Sequence, residues 1–309
     1  MSGINRLCGK DAVLLRTAVI INPTAGRGRT AKLWPKLERQ LSQLKVAYRP
    51  FFTSGPGEGE KLARELPAQG YDCLAVCGGD GTLNEVINGL QFERACLAVI
   101  PTGTGNDFCR SAGIPGDPFQ AVGLLIKGRV KKVDLGRANG RYFANIIGTG
   151  FDAEVARATN EDFTWLQGTP AYVASLFKVL VSYRNVEMTV RTEKMALQGK
   201  MLAAAVGNGQ YLGAGMRLVP PARIDDGVFH LCLVGDVTKR EILTTLPKIF
   251  SGGHADHPKV SILTAAKVQI STARPLVVQA DGEIIGRTPI AVEIEPSCLN
   301  VLVPNQGSA

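Results

Sequence analysis

Three times in the first third of the chain, a short apolar run breaks into a loop of Gly, Thr, Asn and Asp, and apolar residues at helical spacing follow. Thr17 to Asn22 runs into Pro23 and Gly26. Leu33, Leu37, Leu41 and Leu44 come next, with Pro35 placed in the first helical turn, where its missing N–H is tolerated. Cys73 to Cys77 runs into Gly78-Gly79-Asp80-Gly81-Thr82, and Leu83, Val86, Ile87 and Leu90 then form one helical face. Cys96 to Ile100 is followed by Pro101 to Asp107, and Phe119, Val122, Leu125 and Ile126 mark a further helix. Strand, loop and helix in repetition indicate a parallel α/β sheet.

From about Val133 the texture changes. Val186 to Val190 alternates, and Met201 to Val206, Phe229 to Val234, Lys267 to Ile270 and Leu276 to Gln279 are strand-like and separated by turn residues. This pattern predicts a β-rich second domain, interrupted by helices at Ala171 to Tyr183 and Glu241 to Phe250. No internal repeat or low-complexity linker is present.

Composition narrows the class. The 309 residues carry a net charge of +8, which favours anionic partners such as nucleotide, nucleic acid or an acidic membrane surface. The seven cysteines contain no CxxC pair, and Cys73, Cys77 and Cys96 sit in apolar runs, as small buried hydrophobes in a reducing compartment do. No signal pattern opens the chain and no apolar stretch approaches a spanning helix, so the expectation is a cytoplasmic protein with peripheral membrane contact.

In an open parallel sheet, ligands bind at the carboxyl ends of strands. There the three loops supply what a phosphate needs. Glycines allow close backbone approach, helix N-termini offer amides, and Thr82 and Thr104 offer hydroxyls. Asp80 repels phosphate unless a divalent cation stands between them. Turn and capping chemistry uses the same residue types, but three such loops on successive strands favour the phosphate site. Gly26-Arg27-Gly28-Arg29-Thr30-Ala31 fits a dinucleotide fingerprint only weakly, and no Walker A sequence is present.

Asn22-Pro23-x-Ala25-Gly26, Gly78-Gly79-Asp80-Gly81-Thr82-Leu83-Asn84-Glu85 and Pro101-x-Gly103-Thr104-x-Asn106-Asp107-Phe108 together resemble the diacylglycerol kinase catalytic family, in its soluble bacterial branch, related to sphingosine and ceramide kinases. Val133-Asp134-Leu135-Gly136, Val219 to Gly227, Asp281-Gly282-Glu283 and Leu299 to Pro304 extend the likeness over nearly the whole chain. Arg27 departs from the pattern, since a lysine is common there. The resemblance implies an NAD kinase-like α/β nucleotide-binding domain over 1–132, a β-sandwich domain over 133–287, a return of 288–309 to the first domain, and an active site in the cleft between them.

The resemblance also implies roles. Asn22, Pro23, Thr24, Ala25, Gly26, Thr53, Gly79, Asp80, Gly81, Thr82, Leu83, Asn84, Glu85 and Thr104 would contact ATP, the co-substrate. Asp80 and Asp134 would organise the catalytic Mg²⁺. Glu283 would be the general base and Asp281 would position nucleotide or metal. Asp226, with the carbonyls of Arg223 and Val228, would hold a structural Mg²⁺, and whether Asp225 or Asp226 faces it is left open. By residue type alone, Asp281-Gly282 is an ordinary hairpin turn.

The implied reaction moves the γ-phosphoryl group of ATP to the hydroxyl of a membrane lipid such as diacylglycerol. Its implied partners are that lipid and an anionic membrane surface; a homodimer is compatible with it and nucleic acid is not expected. Phe163, Trp165, Leu166, Tyr172 and Phe177 are candidates for an apolar acceptor region or for helix core. His254-x-x-His257 resembles a metal pair but lacks a third ligand and lies in what reads as an exposed loop. The competing readings are a kinase with a soluble acceptor such as NAD, and a non-catalytic nucleotide sensor or basic nucleic-acid binder. The Asp-Asp-Gly and Asp-Gly-Glu elements oppose the former. The lack of an RNA-binding aromatic motif or helix-turn-helix opposes nucleic-acid binding.

Overall fold

The structure, a computed structural model, describes residues 15–162 and 169–305, without the side chains of 169–173. The chain divides into two compact units, 1–133 with 297–309, and 134–296. The return to the first unit therefore begins at Ser297, where the sequence reading placed it at 288.

In the first unit, β1 (Thr17–Ile21), β2 (Tyr48–Phe52), β3 (Cys73–Gly78) and β4 (Cys96–Pro101) lie in the order β2-β1-β3-β4 and all run parallel. Strands β1, β3 and β4 are buried along their whole length, as their unbroken apolar runs require. The helices are α1 (Ala25–Gln43), α2 (Glu58–Glu65), α3 (Asp80–Gly89), α4 (Asp107–Ala112) and α5 (Pro118–Lys127). Trp34, Leu37 and Leu41 of α1 pack on Val19, Ala75 and Ala98 of the sheet. Helix α5 starts cleanly because Asp117 accepts from the Phe119 amide at 3.0 Å and Pro118 occupies the first turn.

Helix α1 begins well before the leucine spacing suggests. Pro35 lies in its interior, not its first turn. The opening of α1 is a left-handed excursion over Gly26, Arg27 and Gly28, with φ of 59°, 60° and 76°.

The second unit follows from strand β5 (Arg129–Ala138), which spans the boundary, through β6 (Arg141–Phe143), β7 (Ile146–Gly150), α6 (Phe151–Glu161), α7 (Thr169–Ser182), β8 (Val186–Thr192), β9 (Ala196–Met201), β10 (Ala203–Gly207), β11 (Phe229–Val234), α8 (Lys239–Thr245), β12 (Val260–Ala265), β13 (Lys267–Thr272), β14 (Val277–Ala280), β15 (Glu283–Arg287) and β16 (Ile290–Val303). One sheet has the order β12-β11-β10-β7-β14-β15, with neighbouring strands antiparallel. Facing it are β13, β8, β9 and the first part of β16, also antiparallel. Ile147, Val206, Leu231 and Val278 of the first sheet meet Met188, Val190, Val268 and Val292 of the other in one core. The last part of β16 belongs to the first unit, where Val301 pairs in parallel with Leu97 of β4.

The single strand expected over Met201 to Val206 is in fact two. Leu202 donates to the carbonyls of Val234 and Gly235, and the chain passes there from one sheet to the other. Helix α8 gives way to a 3-10 turn over Leu246–Phe250 beyond Thr245. Helix α6, β2 and α2 had no clear periodic signal. None of the helices among the described residues is long and apolar enough to cross a membrane.

Candidate functional site

The three loops that end β1, β3 and β4 lock onto one another. Asn22 closes β1, and its Nδ2 donates to Thr82 Oγ1 at 2.9 Å. Its Oδ1 accepts from the Thr24 amide at 3.1 Å and the Thr24 hydroxyl at 2.8 Å. The Gly78 carbonyl accepts from the amides of Thr102 (2.9 Å) and Gly103 (3.0 Å). Thr30 and Thr102 share a buried hydroxyl–hydroxyl bond of 2.6 Å. Glycine is sterically required at two crossings. A Cβ on Gly103 would lie 2.4 Å from the Gly79 Cα, and one on Gly26 would lie 2.4 Å from the Thr102 carbonyl oxygen.

Helix α3 starts at this meeting point with Gly79 as its N-cap and no side-chain cap. Its first-turn amides are thus available to an anion, with the helix dipole behind them. Asp80, in that turn, turns its Oδ1 to the amides of Asp107 (2.9 Å) and Phe108 (3.4 Å), so it orients the start of α4. Its Oδ2 faces Gly105, where a Cβ would lie 2.4 Å away. Gly26, Arg29, Gly103, Thr104, Asn106 and Arg110 line a hollow of about 390 Å³ beside this cradle. Arg110 bonds Asp107 at 2.8 Å.

The second unit carries the other acidic elements. Asp134 is 1% exposed; its amide donates to the Ile224 carbonyl at 2.7 Å, and its Oδ2 accepts from the Gly227 amide at 2.8 Å. Asp226 accepts from the Val228 amide at 3.3 Å and meets His230 Nε2 at 3.0 Å, whereas Asp225 lies 3.5 Å from the Arg223 guanidinium. Asp281 and Gly282 have φ of 50° and 89° and turn β14 into β15. The Asp281 carboxylate accepts from the amides of Ala144 (2.7 Å), Asn145 (3.0 Å) and Ile146 (2.9 Å). Glu283, the first residue of β15, is exposed.

An apolar cavity of about 110 Å³ also lies in this unit, lined by Phe151, Leu176, Leu212, Met216, Ile242 and Leu246 among others. Two polar side chains in its wall have an unsatisfied buried atom, Asp152 at Oδ1 and His254 at Nδ1. Asp152 Oδ2 accepts from Gln279 Nε2 at 3.2 Å. Burial pushes the Asp152 carboxyl up to about 6, against hydrogen bonds from Gln279 and the Ala153 amide. Burial likewise pushes Cys232 up to about 12, raises Tyr183 and lowers His254, so these three stay neutral at pH 7–8.

Because the folded-state value for Asp152 exceeds its usual 3.8, ionisation opposes folding. The cost is absent below about pH 4 and complete above about pH 6. Asp152→Asn should therefore be more stable than wild type by about 3 kcal/mol at pH 8, with the difference vanishing by pH 4. Urea unfolding at the two pH values checks this. An equal difference at both would remove the buried-charge account.

The chain matches the diacylglycerol kinase catalytic domain over residues 16–138 and the YegS C-terminal NAD kinase beta sandwich-like domain over 145–303. It is 32% identical over 276 residues to a diacylglycerol kinase of Staphylococcus carnosus, covering 89% of this chain and 90% of the relative. With a Staphylococcus aureus diacylglycerol kinase it shares 32% over 292 residues, 94% and 93% of the two chains. The chain belongs to the diacylglycerol kinase family. That makes it a lipid kinase by descent. Its fold is also that of a Bacillus anthracis diacylglycerol kinase crystal structure, with a TM-score of 0.75 at 24% identity, covering 95% of this chain and 98% of the other.

Set against this family, the expected nucleotide residues separate into groups. Asn22, Thr24, Gly26, Gly79, Asp80, Thr82 and the exposed Thr104 gather around the cradle. Leu83 and Asn84 are buried in α3, and Thr53 is buried at the end of β2, where its amide donates to the Ile21 carbonyl at 2.8 Å. Glu85 holds the loop before α2, accepting from the Gly57 amide at 2.8 Å and the Gly59 amide at 3.0 Å. Pro23, Ala25 and Gly81 belong to the loop backbones.

Phe163, Trp165, Leu166 and the Tyr172 side chain lie outside the described residues, and Phe177 is exposed on α7. His254 is buried, not in an exposed loop: its Nε2 faces the Leu218 carbonyl at 3.0 Å, while His257 lies 3.8 Å from Glu241. Arg29, Arg110 and Asp152 were missed. Arginines three residues past a glycine loop give no distinctive signal, and nothing local distinguishes Asp152 from any first-turn acid.

Gly103→Ala tests the loop crossing. The added methyl must displace the Gly79 backbone, so nucleotide affinity should fall by about tenfold or more while the sheet survives. Titration with a non-hydrolysable ATP analogue reads this directly. Unchanged affinity would mean the loops do not form the nucleotide cradle.

Proposed function

We propose that this lipid kinase transfers the γ-phosphoryl group of ATP to the hydroxyl of a neutral membrane lipid such as diacylglycerol. The likeness to diacylglycerol kinases carries the reading: the chain is 32% identical over 276 residues to one of them and matches the diacylglycerol kinase catalytic domain over residues 16–138, which favours a lipid over a soluble dinucleotide as acceptor.

The phosphate cradle of the first unit would bind the triphosphate through loop and α3 amides, with Arg29 and Arg110 balancing its charge. The lipid oxygen would form a bond to the γ-phosphorus as the bond to the β-bridging oxygen breaks, and ADP leaves. Glu283 would take the hydroxyl proton, a role for which its exposed carboxylate is suited. Asp281, holding three amides, would fix the turn that presents Glu283.

Mg²⁺ needs only one or two carboxylates when phosphates complete its shell. Asp80 beside the α3 amides fits that requirement; when bound, the ion would neutralise phosphate charge. No group of three His, Cys, Asp or Glu side chains able to hold a metal occurs among the described residues. The proposed structural ion at Asp226 would rest on that carboxylate, which already meets His230, and on the carbonyls of Arg223 and Val228.

The helices around the cavity also suit a membrane surface. Leu176, Ile242 and Leu246 face inward, while Phe177, Val181, Leu243 and Phe250 are exposed, with Lys239, Arg240 and Lys248 exposed on the same elements and Arg184 exposed just after α7. Apolar side chains ringed by basic ones favour anionic lipid. Val181→Asp with Phe250→Asp should reduce co-sedimentation with phosphatidylglycerol vesicles several-fold; undiminished binding would place membrane contact elsewhere.

Labelled ATP with Mg²⁺, offered to extracted lipids and separately to NAD, tests the reaction. Label in a lipid class and none in NAD is expected. Label in NAD alone would overturn the lipid reading.

A further inference from the structure

The backbone ladder alone does not fix the turn that carries Glu283. Strand β15 is the edge strand of its sheet, so its ladder runs along one side. That ladder is irregular, because the register with β14 shifts between Val278 and Gln279. Such shifts bend a strand and re-aim its side chains. Gly282, immediately before Glu283, has φ of 89° and no side chain to restrict it. Asp281 fixes the entry to the turn through its three amides. The direction in which the chain leaves depends on the two peptide planes that flank Gly282.

Both planes are held by side chains. The Gly282 amide donates to Gln279 Oε1 at 2.8 Å, and the Gly282 carbonyl accepts from Asn160 Nδ2 at 3.1 Å. The second plane contains the Glu283 nitrogen. Asn160 lies near the end of α6, and near its start Asp152 Oδ2 accepts from Gln279 Nε2 at 3.2 Å. One helix thus grips both planes, one directly and one through Gln279. Gly148 leaves the room in which the inner contact forms: a Cβ there would lie 2.0 Å from Asp152 Oδ2 and 3.0 Å from Gln279 Nε2.

An acid at 152 gives this grip a single sense. A carboxylate only accepts, so it obliges the fully buried Gln279 to turn its NH2 toward α6 and its oxygen toward the Gly282 amide. Asparagine donates as well as accepts, and so permits the reversed amide, which sets N–H against N–H at Gly282. Stability does not explain the acid, since ionisation of Asp152 opposes folding.

We propose that Asp152, Gln279 and Asn160 are positioning residues for phosphoryl transfer: they lock the peptide planes around Gly282 and so set where the Glu283 carboxylate stands when it takes the proton of the acceptor hydroxyl. The proposal rests on the lipid-kinase reading with Glu283 as the base. A misplacement of about 1 Å at a reacting group can cost about 10²-fold in rate.

The test measures kcat and KM of the full chain at pH 8 with 1,2-dioctanoyl-sn-glycerol and with extracted lipid, and urea unfolding of every variant. Asn160 is exposed, so Asn160→Ala should unfold near the wild-type midpoint yet turn over about tenfold more slowly. Gln279→Leu, which releases the inner plane, should lose about 10- to 100-fold in kcat. At position 152, kcat should fall in the order wild type, Asp152→Asn, Asp152→Ala, although Asp152→Asn is the most stable of the three. KM for ATP should stay unchanged throughout. In a Glu283→Gln background no base is left to position, so Asn160→Ala and Gln279→Leu should slow turnover by less than about twofold further.

Equal losses in the wild-type and Glu283→Gln backgrounds overturn the proposal and leave the kinase reading standing. So does an Asn160→Ala protein that works at the wild-type rate, or a rate that follows stability across the Asp152 variants. A wild type that labels neither dioctanoylglycerol nor extracted lipid overturns the lipid-kinase reading, and the proposal with it.

Discussion

Glu283→Gln should lower kcat by about 10²- to 10⁴-fold and leave the unfolding transition of the protein where it is. The residue is exposed at the first position of β15, and Gln fills the same volume. Gln keeps the shape and the acceptor oxygen but cannot take a proton. KM for ATP should change little, since the nucleotide cradle belongs to β1, β3 and β4. The measurement is a single-turnover rate with dioctanoylglycerol alongside a thermal melt. A variant within fivefold of wild type would remove Glu283 from proton transfer and leave positioning as the source of the rate.

Asp281→Ala, two residues earlier, should do the opposite. Three amides, those of Ala144, Asn145 and Ile146, lose their acceptor at once. Losing bonds of that kind, together with the strain of Ala at φ near 50°, should cost about 2–4 kcal/mol. Asp281→Asn separates the two causes. Asn tolerates the left-handed turn and keeps a neutral acceptor, so it should cost less than Ala. Equilibrium unfolding in urea, with the midpoints of the three proteins compared, checks the order. An inactive but fully stable Asp281→Ala would assign the carboxylate to the reaction and not to the turn.

These two acids show what local sequence can and cannot say. Asp281-Gly282-Glu283 was legible as a hairpin turn because Asp-Gly is suited to two successive positive φ values. That one carboxylate would bind the backbone of residues 144–146 while its neighbour faced solvent was not legible. The partners are far away along the chain, and only the pairing of β14 with β7 brings them together. Asp80 is similar. Its place in the first turn of α3 follows from the glycines before it, but its bonds to the amides of Asp107 and Phe108 depend on β3 and β4 lying side by side.

Errors at element boundaries have the same origin. Pro35 looked like a first-turn residue because the leucines begin at Leu33, yet the left-handed start at Gly26 lets α1 begin immediately after β1. Met201 to Val206 looked like one strand because all its residues are apolar or small. Burial on two different sheets satisfies that pattern as well as burial on one.

By itself, the sequence determined the parallel α/β unit, the β-rich second unit and the three glycine loops. These depend on periodicity and on backbone freedom, which are local properties of the chain. The tertiary structure alone decided that those loops interlock at Gly79 and Gly103, that an apolar cavity forms among α6, α7, α8 and β10, and that Asp152 stands in its wall with an unmet oxygen. Each of these depends on residues distant in sequence meeting in space. Burial, which sets the cost of the Asp152 charge, exists only once they have met.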